Sequence, residues 1–126
     1  MSEEKTICLN MIVKNESAVI ERCLRSLIPI IDYWVICDTG SSDDTRERVR
    51  KALKGIPGEL HERPWIDFAH NRNEVLERSR GKADYLLFID ADMEAHFHEP
   101  FKHRLTMDAY NIRYEGPIDY AQRMLV

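Results

Sequence analysis

Tyr85-Leu86-Leu87-Phe88-Ile89-Asp90-Ala91-Asp92 is the stretch that decides the fold. An apolar run rich in β-forming residues meets a polar triplet carrying two carboxylates. So short a run, apolar on both alternating faces, reads as a strand covered on both sides, the kind found inside a parallel sheet. Upstream of it, residues 68 to 80 carry Phe68, Val75 and Leu76 as the buried face of a helix, with Gly81 as its C-terminal stop. Leu60 to Trp65 reads as a short strand, and Gly55 through Gly58 as the break before it. Tyr33-Trp34-Val35-Ile36-Cys37 is another strand, followed by the polar loop Asp38 to Thr45. In that loop Ser41 with Asp44 resembles a capping box for a helix bearing Val49, Ala52 and Leu53. At the start, Thr6 to Val13 is again an apolar strand. A helix with Val19, Ile20, Cys23, Leu24 and Leu27 at three- and four-residue spacing follows, capped by Asn15 or Ser17. Strand and helix alternate throughout, which implies an α/β domain with a largely parallel sheet and right-handed crossovers. Past Met93 the pattern weakens, with Ala109 to Tyr114 as one more strand.

Size and composition set the frame. A chain of 126 residues is enough for one domain and too short for two. With 44% apolar and 32% charged residues, a packed core is expected rather than disorder. The net charge of −4, with both signs mixed along the chain, argues against a nucleic-acid binder, which needs a clustered basic face. No apolar stretch approaches the roughly 18 residues that span a bilayer. Met1-Ser2-Glu3-Glu4-Lys5 lacks the basic and apolar regions of a signal peptide, so a cytoplasmic protein is expected. Cys8, Cys23 and Cys37 are odd in number and sit in apolar patterns, and they read as small buried hydrophobes rather than disulfides or zinc ligands.

Open α/β sheets bind ligands outside the carboxyl ends of their strands. Lys14-Asn15-Glu16, Asp38-Thr39-Gly40 and Asp90-Ala91-Asp92 all fall at such ends and should converge on one crevice. Asp90 and Asp92 are two apart, so in extended backbone both carboxylates leave on the same face. So close a pair repels itself unless a cation or a donor relieves it, and hard oxygen ligands suit magnesium or manganese. A solvated turn is the other reading of this triplet. Asp38 could accept a base imide N–H or simply hold a turn. Arg72 could grip a phosphate or a base carbonyl, or stand in solvent. His96-Phe97-His98 lies near enough to lend a further ligand, with a surface turn as the alternative. The chain has no Gly-x-x-x-x-Gly-Lys loop, no Gly-x-Gly-x-x-Gly and no nucleophile elbow.

Taken in order, five segments resemble the amino-terminal part of the family 2 inverting glycosyltransferases, which have the GT-A fold. They are Cys8 to Glu16, Arg22 to Leu27, Val35 to Thr45, Trp65 to Asn73 and Leu86 to Met93, together covering residues 6 to 93. The closest likeness is to bacterial members that carry this domain beside helical repeats. The resemblance implies a Rossmann-like GT-A nucleotide-diphospho-sugar transferase fold, with residues 1–126 as one domain and 94–126 as a partial acceptor-side segment. It implies a nucleoside diphosphate sugar donor, UDP-linked by preference, and a Mn2+ or Mg2+ ion. Val13 and Glu16 would border the nucleoside, Asp38 would bind the base, and Arg72 would contact the base or the diphosphate. Asp90 would approach ribose and metal, and Asp92 would coordinate the metal and so act in catalysis. The chemistry implied is inverting hexosyl transfer to a glycan, protein or lipid acceptor, by in-line displacement with a carboxylate base and charge neutralisation of the leaving diphosphate.

Members of that family usually continue well beyond a segment of this length. The sheet is therefore expected to be incomplete at the carboxyl end. Asp108, Glu115 and Asp119 are carboxylates in the direction of the general base, with a surface residue as the other reading of each. The alternative function is a non-catalytic nucleotide-sugar-binding module, or a fragment that binds donor without transferring it. A nucleotidyltransferase would want a Gly-rich, basic loop after the first strand, and Lys14-Asn15-Glu16-Ser17 is not one. An uncovered sheet edge or apolar face makes a homodimer a further expectation.

Overall fold

The alternation of apolar residues on both faces of Ile7–Val13 places that strand, β1, at the middle of the sheet. The computed structural model describes residues 5–95 and the strand backbones at 110–114 and 120–125. In chain order the elements are β1, α1 (Ile20–Leu27), β2 (Tyr33–Asp38), α2 (Thr45–Ala52), β3 (Gly58–Glu62), α3 (Phe68–Ser79), β4 (Tyr85–Phe88), β5 (Tyr110–Tyr114) and β6 (Tyr120–Leu125). They form one six-stranded sheet in the order β3-β2-β1-β4-β6-β5. Strands β3, β2, β1 and β4 run parallel, while β6 pairs antiparallel with β4 and with β5. This is the Rossmann-like α/β arrangement expected from the sequence. Among the described residues, no helix is long and apolar enough to cross a membrane.

The period-two alternation of a strand divides the core. Ile7, Leu9, Met11 and Val13 join Trp34, Ile36, Tyr85 and Leu87 in one cluster with Ile20, Cys23, Leu24 and Leu27 of α1 and Val49 of α2. The other face, with Cys8, Asn10, Val35 and Cys37, is covered by α3 through Asn71, Val75 and Ser79. That face holds a polar bolt. The Ser79 hydroxyl lies against Asn10 Oδ1 and 2.7 Å from the Val75 carbonyl, and Asn10 Nδ2 donates to the Cys8 carbonyl at 3.1 Å. All three cysteines are free and buried. Burial above all pushes the Cys8 and Cys37 thiols up to about 11 and that of Cys23 to about 12, so each stays protonated and packs as a small hydrophobe.

Three expectations shift. The strand placed at Leu60 to Trp65 is found at Gly58–Glu62, because Gly58 is needed against Trp34 in the register. Phe68 is 58% exposed rather than buried, as are its neighbours Trp65 and Ile66. Residues 71, 75 and 79 make the buried stripe of α3, and Phe68 at its first position lines a cleft with Val13, Phe88 and Asp90 instead. The caps foreseen for α1 and α2 are absent: Val19 and Asp44 occupy the N-cap positions and neither side chain accepts a capping bond. Gly81, in left-handed backbone at φ 76, closes α3 as expected.

At the β3 edge one hydrogen bond controls two titrations. The Tyr33 hydroxyl donates to Glu59 Oε2 at 2.6 Å, while His61 Nε2 lies 2.9 Å from Oε1 and Lys82 Nζ 3.3 Å from Oε2. The Tyr33 bond above all holds the Glu59 carboxyl down from 4.5 to about 2, and the same bond raises the Tyr33 hydroxyl from 10.0 to about 12. A depressed carboxylate contributes stability that is present above pH 4.5 and lost as the pH falls toward 2. A raised phenol contributes stability that is present below pH 10 and lost as the pH rises toward 12. Urea unfolding across pH should therefore show the wild type losing its advantage over Tyr33→Phe at both ends. A difference independent of pH would contradict the linkage.

Candidate functional site

Register brings the strand tips into one line. Val13 pairs with Asp38, and Asn10 pairs with Phe88, so β1, β2 and β4 deliver their following loops to the same end of the sheet. The start of α3 reaches the same end, with Arg72 over the ring of Phe88, the last residue of β4. Between them lies a cleft of about 410 Å³ lined by Val13, Lys14, Glu16, Thr39, Trp65, Phe68, Arg72, Phe88 and Asp90, among others.

Arg72 is held in this cleft by two rings. Its guanidinium carbon stands 4.3 Å from the Phe88 ring centre and 5.6 Å from that of Phe68, cation–π contacts that fix the fork without spending its donors. No carboxylate among the described residues pairs with it. Asp90 and Asp92 are exposed at the tip of β4. Their backbone carbonyls are engaged, but among the described residues neither carboxylate has a hydrogen-bond or ion-pair partner. Ile89 and Ala91 are buried, and Met93 and Ala95 pack partly buried on the same core. Positions 90, 92 and 94 are exposed and alternate with them. The backbone there is not extended: the Met93 amide donates to the Asp90 carbonyl at 3.0 Å, so residues 90–93 form a turn, and both carboxylates are exposed on it.

Glu16 joins them electrostatically. Burial first, and then the charges of Asp92, Asp43 and Asp90, raise its carboxyl above the usual 4.5. These acids feel one another without forming a chelating trio: among the described residues no three His, Cys, Asp or Glu side chains are grouped to hold a metal ion. Two carboxylate ligands are still sufficient for a magnesium- or manganese-like ion that keeps waters and takes phosphate oxygens. The donor set fits such an ion when a diphosphate completes its shell.

Asp38 stands behind the cleft wall. Its side chain is 0% exposed. Oδ1 accepts from the Gly40 and Ser41 amides at 2.9 and 2.8 Å, with Arg46 Nη1 3.7 Å away, and Oδ2 is buried with no partner. Thr39, not Asp38, reaches the cleft surface. Val13, Glu16, Arg72 and Asp90 are therefore brought together directly, Asp92 stands beside them, and Asp38 lies one layer deeper. His96, His98, Asp108, Glu115 and Asp119 lie outside the described residues.

The polar loops after β1 and β2 are stitched to one another. Asn15, in left-handed backbone at φ 52, accepts at Oδ1 from the Ser42 amide at 2.7 Å and the Asp43 amide at 3.3 Å. In return, the Asn15 amide donates to Ser41 Oγ at 2.9 Å, that of Glu16 to Thr45 Oγ1 at 2.9 Å, and that of Ser17 to Asp43 Oδ2 at 3.3 Å. Hydrogen bonds, those from Thr45 foremost, hold the Asp43 carboxyl down at about 2. Two of the side chains expected to cap α1 and α2, those of Asn15 and Ser41, thus join the two loops, and Thr45 holds the Glu16 amide beside the strand tips. Reading the sequence one loop at a time missed Ser41, Asp43 and Thr45 as site-forming residues. The density of short polar side chains in both loops was the available signal.

A family model described as glycosyl transferase family 2 matches residues 8–108. The chain belongs to that family. Among similar proteins, the SPbeta prophage-derived glycosyltransferase SunS of Bacillus subtilis is 32% identical over 92 residues, which are 72% of this chain and 21% of that protein. A TPR repeat-containing protein of Synechococcus elongatus is 34% identical over 88 residues, 70% of this chain and 21% of that one. This second match agrees with the likeness to members carrying helical repeats. The chain spans about a fifth of the length of these relatives. Among solved structures, Mycobacterium tuberculosis glucosyl-3-phosphoglycerate synthase in complex with Mn2+, UDP and phosphoglyceric acid superposes with a TM-score of 0.55 at 24% identity, over 71% of this chain and 34% of that one. That likeness shows the fold, the GT-A arrangement expected for family 2.

Proposed function

We propose that residues 6–93 hold a nucleoside diphosphate sugar, UDP-linked, and that the chain is the donor-binding part of an inverting glycosyltransferase using Mn2+ or Mg2+. One observation carries this reading. Arg72, with no carboxylate partner among the described residues, lines one cleft with Asp90, Asp92 stands exposed beside it, and a diphosphate bearing its own divalent ion would satisfy both signs of charge at once. The synthase structure that holds UDP with Mn2+ on the same fold supports it.

Asp90 and Asp92 would hold the ion, which when bound supplies charge to the leaving diphosphate. Arg72 adds a fixed positive charge on the other side, preorganised by the Phe88 and Phe68 rings. Val13 and Glu16 border the nucleoside. The unpartnered Oδ2 of Asp38 is the acceptor for a base imide N–H once Thr39 gives way, which favours uracil. A glycan, protein or lipid hydroxyl is the acceptor class, and its base belongs to the acceptor side.

Trp65 reports on the cleft. The chain has two tryptophans; Trp34 is 7% exposed and Trp65, on the cleft wall, is 51% exposed. UDP with Mn2+ should change the emission saturably, and Trp65→Phe should remove most of that change. Calorimetric titration should give tighter UDP binding with Mn2+ than without, and weaker binding after Arg72→Ala. UDP binding indifferent to both metal and Arg72 would overturn the proposal. Metal-dependent UDP binding with no sugar ever released from a UDP-sugar would favour the non-catalytic module.

A further inference from the structure

Helix α1 touches none of the cleft, yet three of its side chains grip the turn that carries the aspartates. Arg22 Nη2 donates to the Asp92 carbonyl at 3.3 Å, and Arg22 Nε lies 4.0 Å from Glu94 Oε2. The Cys23 thiol donates to the Asp90 carbonyl at 3.6 Å. Ser26 Oγ accepts from the Ala95 amide at 2.9 Å and donates to the Cys23 carbonyl at 2.6 Å. The turn's own bond, Met93 N–H to the Asp90 carbonyl at 3.0 Å, closes the loop between these anchors.

We infer that Arg22, Cys23 and Ser26 form a positioning clamp on α1, which sets the spacing and direction of the Asp90 and Asp92 carboxylates and thereby the affinity of the site for a divalent cation. The inference rests on the metal-binding reading above. Three physical points lead to it. The backbone of residues 89–95 lies beyond the end of β4, so no ladder hydrogen bond from β4 holds it. Two like charges two residues apart push the turn open unless the backbone is tied. The anchors fall on the residues that bear the carboxylates, at Asp90 and Asp92 themselves, and at Ala95 where the segment leaves. Such supports around metal ligands commonly change metal affinity by about 10–100-fold when removed.

The clamp can be separated from the ligands. Arg22 is 57% exposed in its side chain, so Arg22→Ala removes one anchor at little cost to the fold. Ser26→Ala removes another, and Ser26→Thr keeps the hydroxyl. The measurement is the Mn2+ concentration that half-saturates the UDP-binding signal of the full chain. Alongside it run UDP binding in chelator and thermal melting. Each alanine variant should raise the Mn2+ midpoint by about tenfold, the pair should raise it further, and Ser26→Thr should restore it. UDP binding without metal should not change. An unchanged midpoint in folded Arg22→Ala and Ser26→Ala, with Asp92→Ala still abolishing the metal effect, would overturn the clamp and leave the site standing. If Asp92→Ala has no effect either, the metal site itself is wrong.

Discussion

Asp92→Ala should remove the metal-dependent part of UDP binding while leaving the fold intact. The carboxylate is exposed and has no partner among the described residues, so its loss breaks no bond of the folded chain. Surface changes of this kind stay within about 0.5 kcal/mol. The ion, by contrast, would lose one of the two carboxylates proposed to hold it, leaving Asp90 as its ligand among the described residues. A metal supplies several kcal/mol of charge stabilisation, so the affinity gained from Mn2+ should fall by roughly 100-fold or more. Asp92→Asn keeps the shape and one oxygen and should fall between the two. Relief of repulsion acts the other way on Glu16, whose carboxyl should return toward its usual range once Asp92 is gone. Calorimetry with UDP, with and without Mn2+, decides the matter. Full metal enhancement in Asp92→Ala would remove the basis for the proposed site.

Gly58→Ala should be the most damaging single methyl in the described chain. A Cβ at Gly58 would stand 2.2 Å from Cδ2 and Cε2 of Trp34 and 2.3 Å from its Cγ. Those are ring atoms, and the ring cannot swing aside. Trp34 Nε1 donates to the Ile56 carbonyl at 2.8 Å, and the Trp34 amide donates to the Pro57 carbonyl at 3.2 Å. The two residues face each other in the β2–β3 register, so relief requires the edge strand to move as a whole. Overpacking of this kind costs about 2–3 kcal/mol, or about 1–2 M in the urea midpoint. Trp34→Leu in the same chain removes the obstructing ring and should recover part of the loss. A Gly58→Ala midpoint equal to wild type would show that the β3 edge is softer than its register implies.

Much of the architecture was legible because it depends on local periodicity. Ile7–Val13 and Tyr85–Phe88 are apolar on both faces, and only a sheet covered on both sides accepts such strands. The shared face expected of Asp90 and Asp92 assumed extended backbone, whereas residues 90–93 form a turn closed by the Met93 amide on the Asp90 carbonyl. Their neighbours Ala91 and Met93 are small or apolar, and the core takes them. The five matched segments carried the family from the residues alone. What could not be read locally was the use of side chains across loops. Ser41 and Asp44 have the spacing of a capping box, yet Ser41 receives the Asn15 amide instead. Phe68 has the position of a buried helix residue but stands exposed on the cleft wall. Arg72 looks like any helix arginine until Phe88 is placed beneath it.

By itself, then, the sequence determined the order of strands and helices and the parallel core, since each follows from side-chain periodicity over a few residues. Only the tertiary structure decided that Asp38 lies behind Thr39, that Arg72 sits on Phe88 in the same cleft as Asp90, and that α1 grips the turn beyond β4. Those relations join residues tens of positions apart. They depend on strand register and helix placement, which the packing of the whole sheet settles and no short window contains.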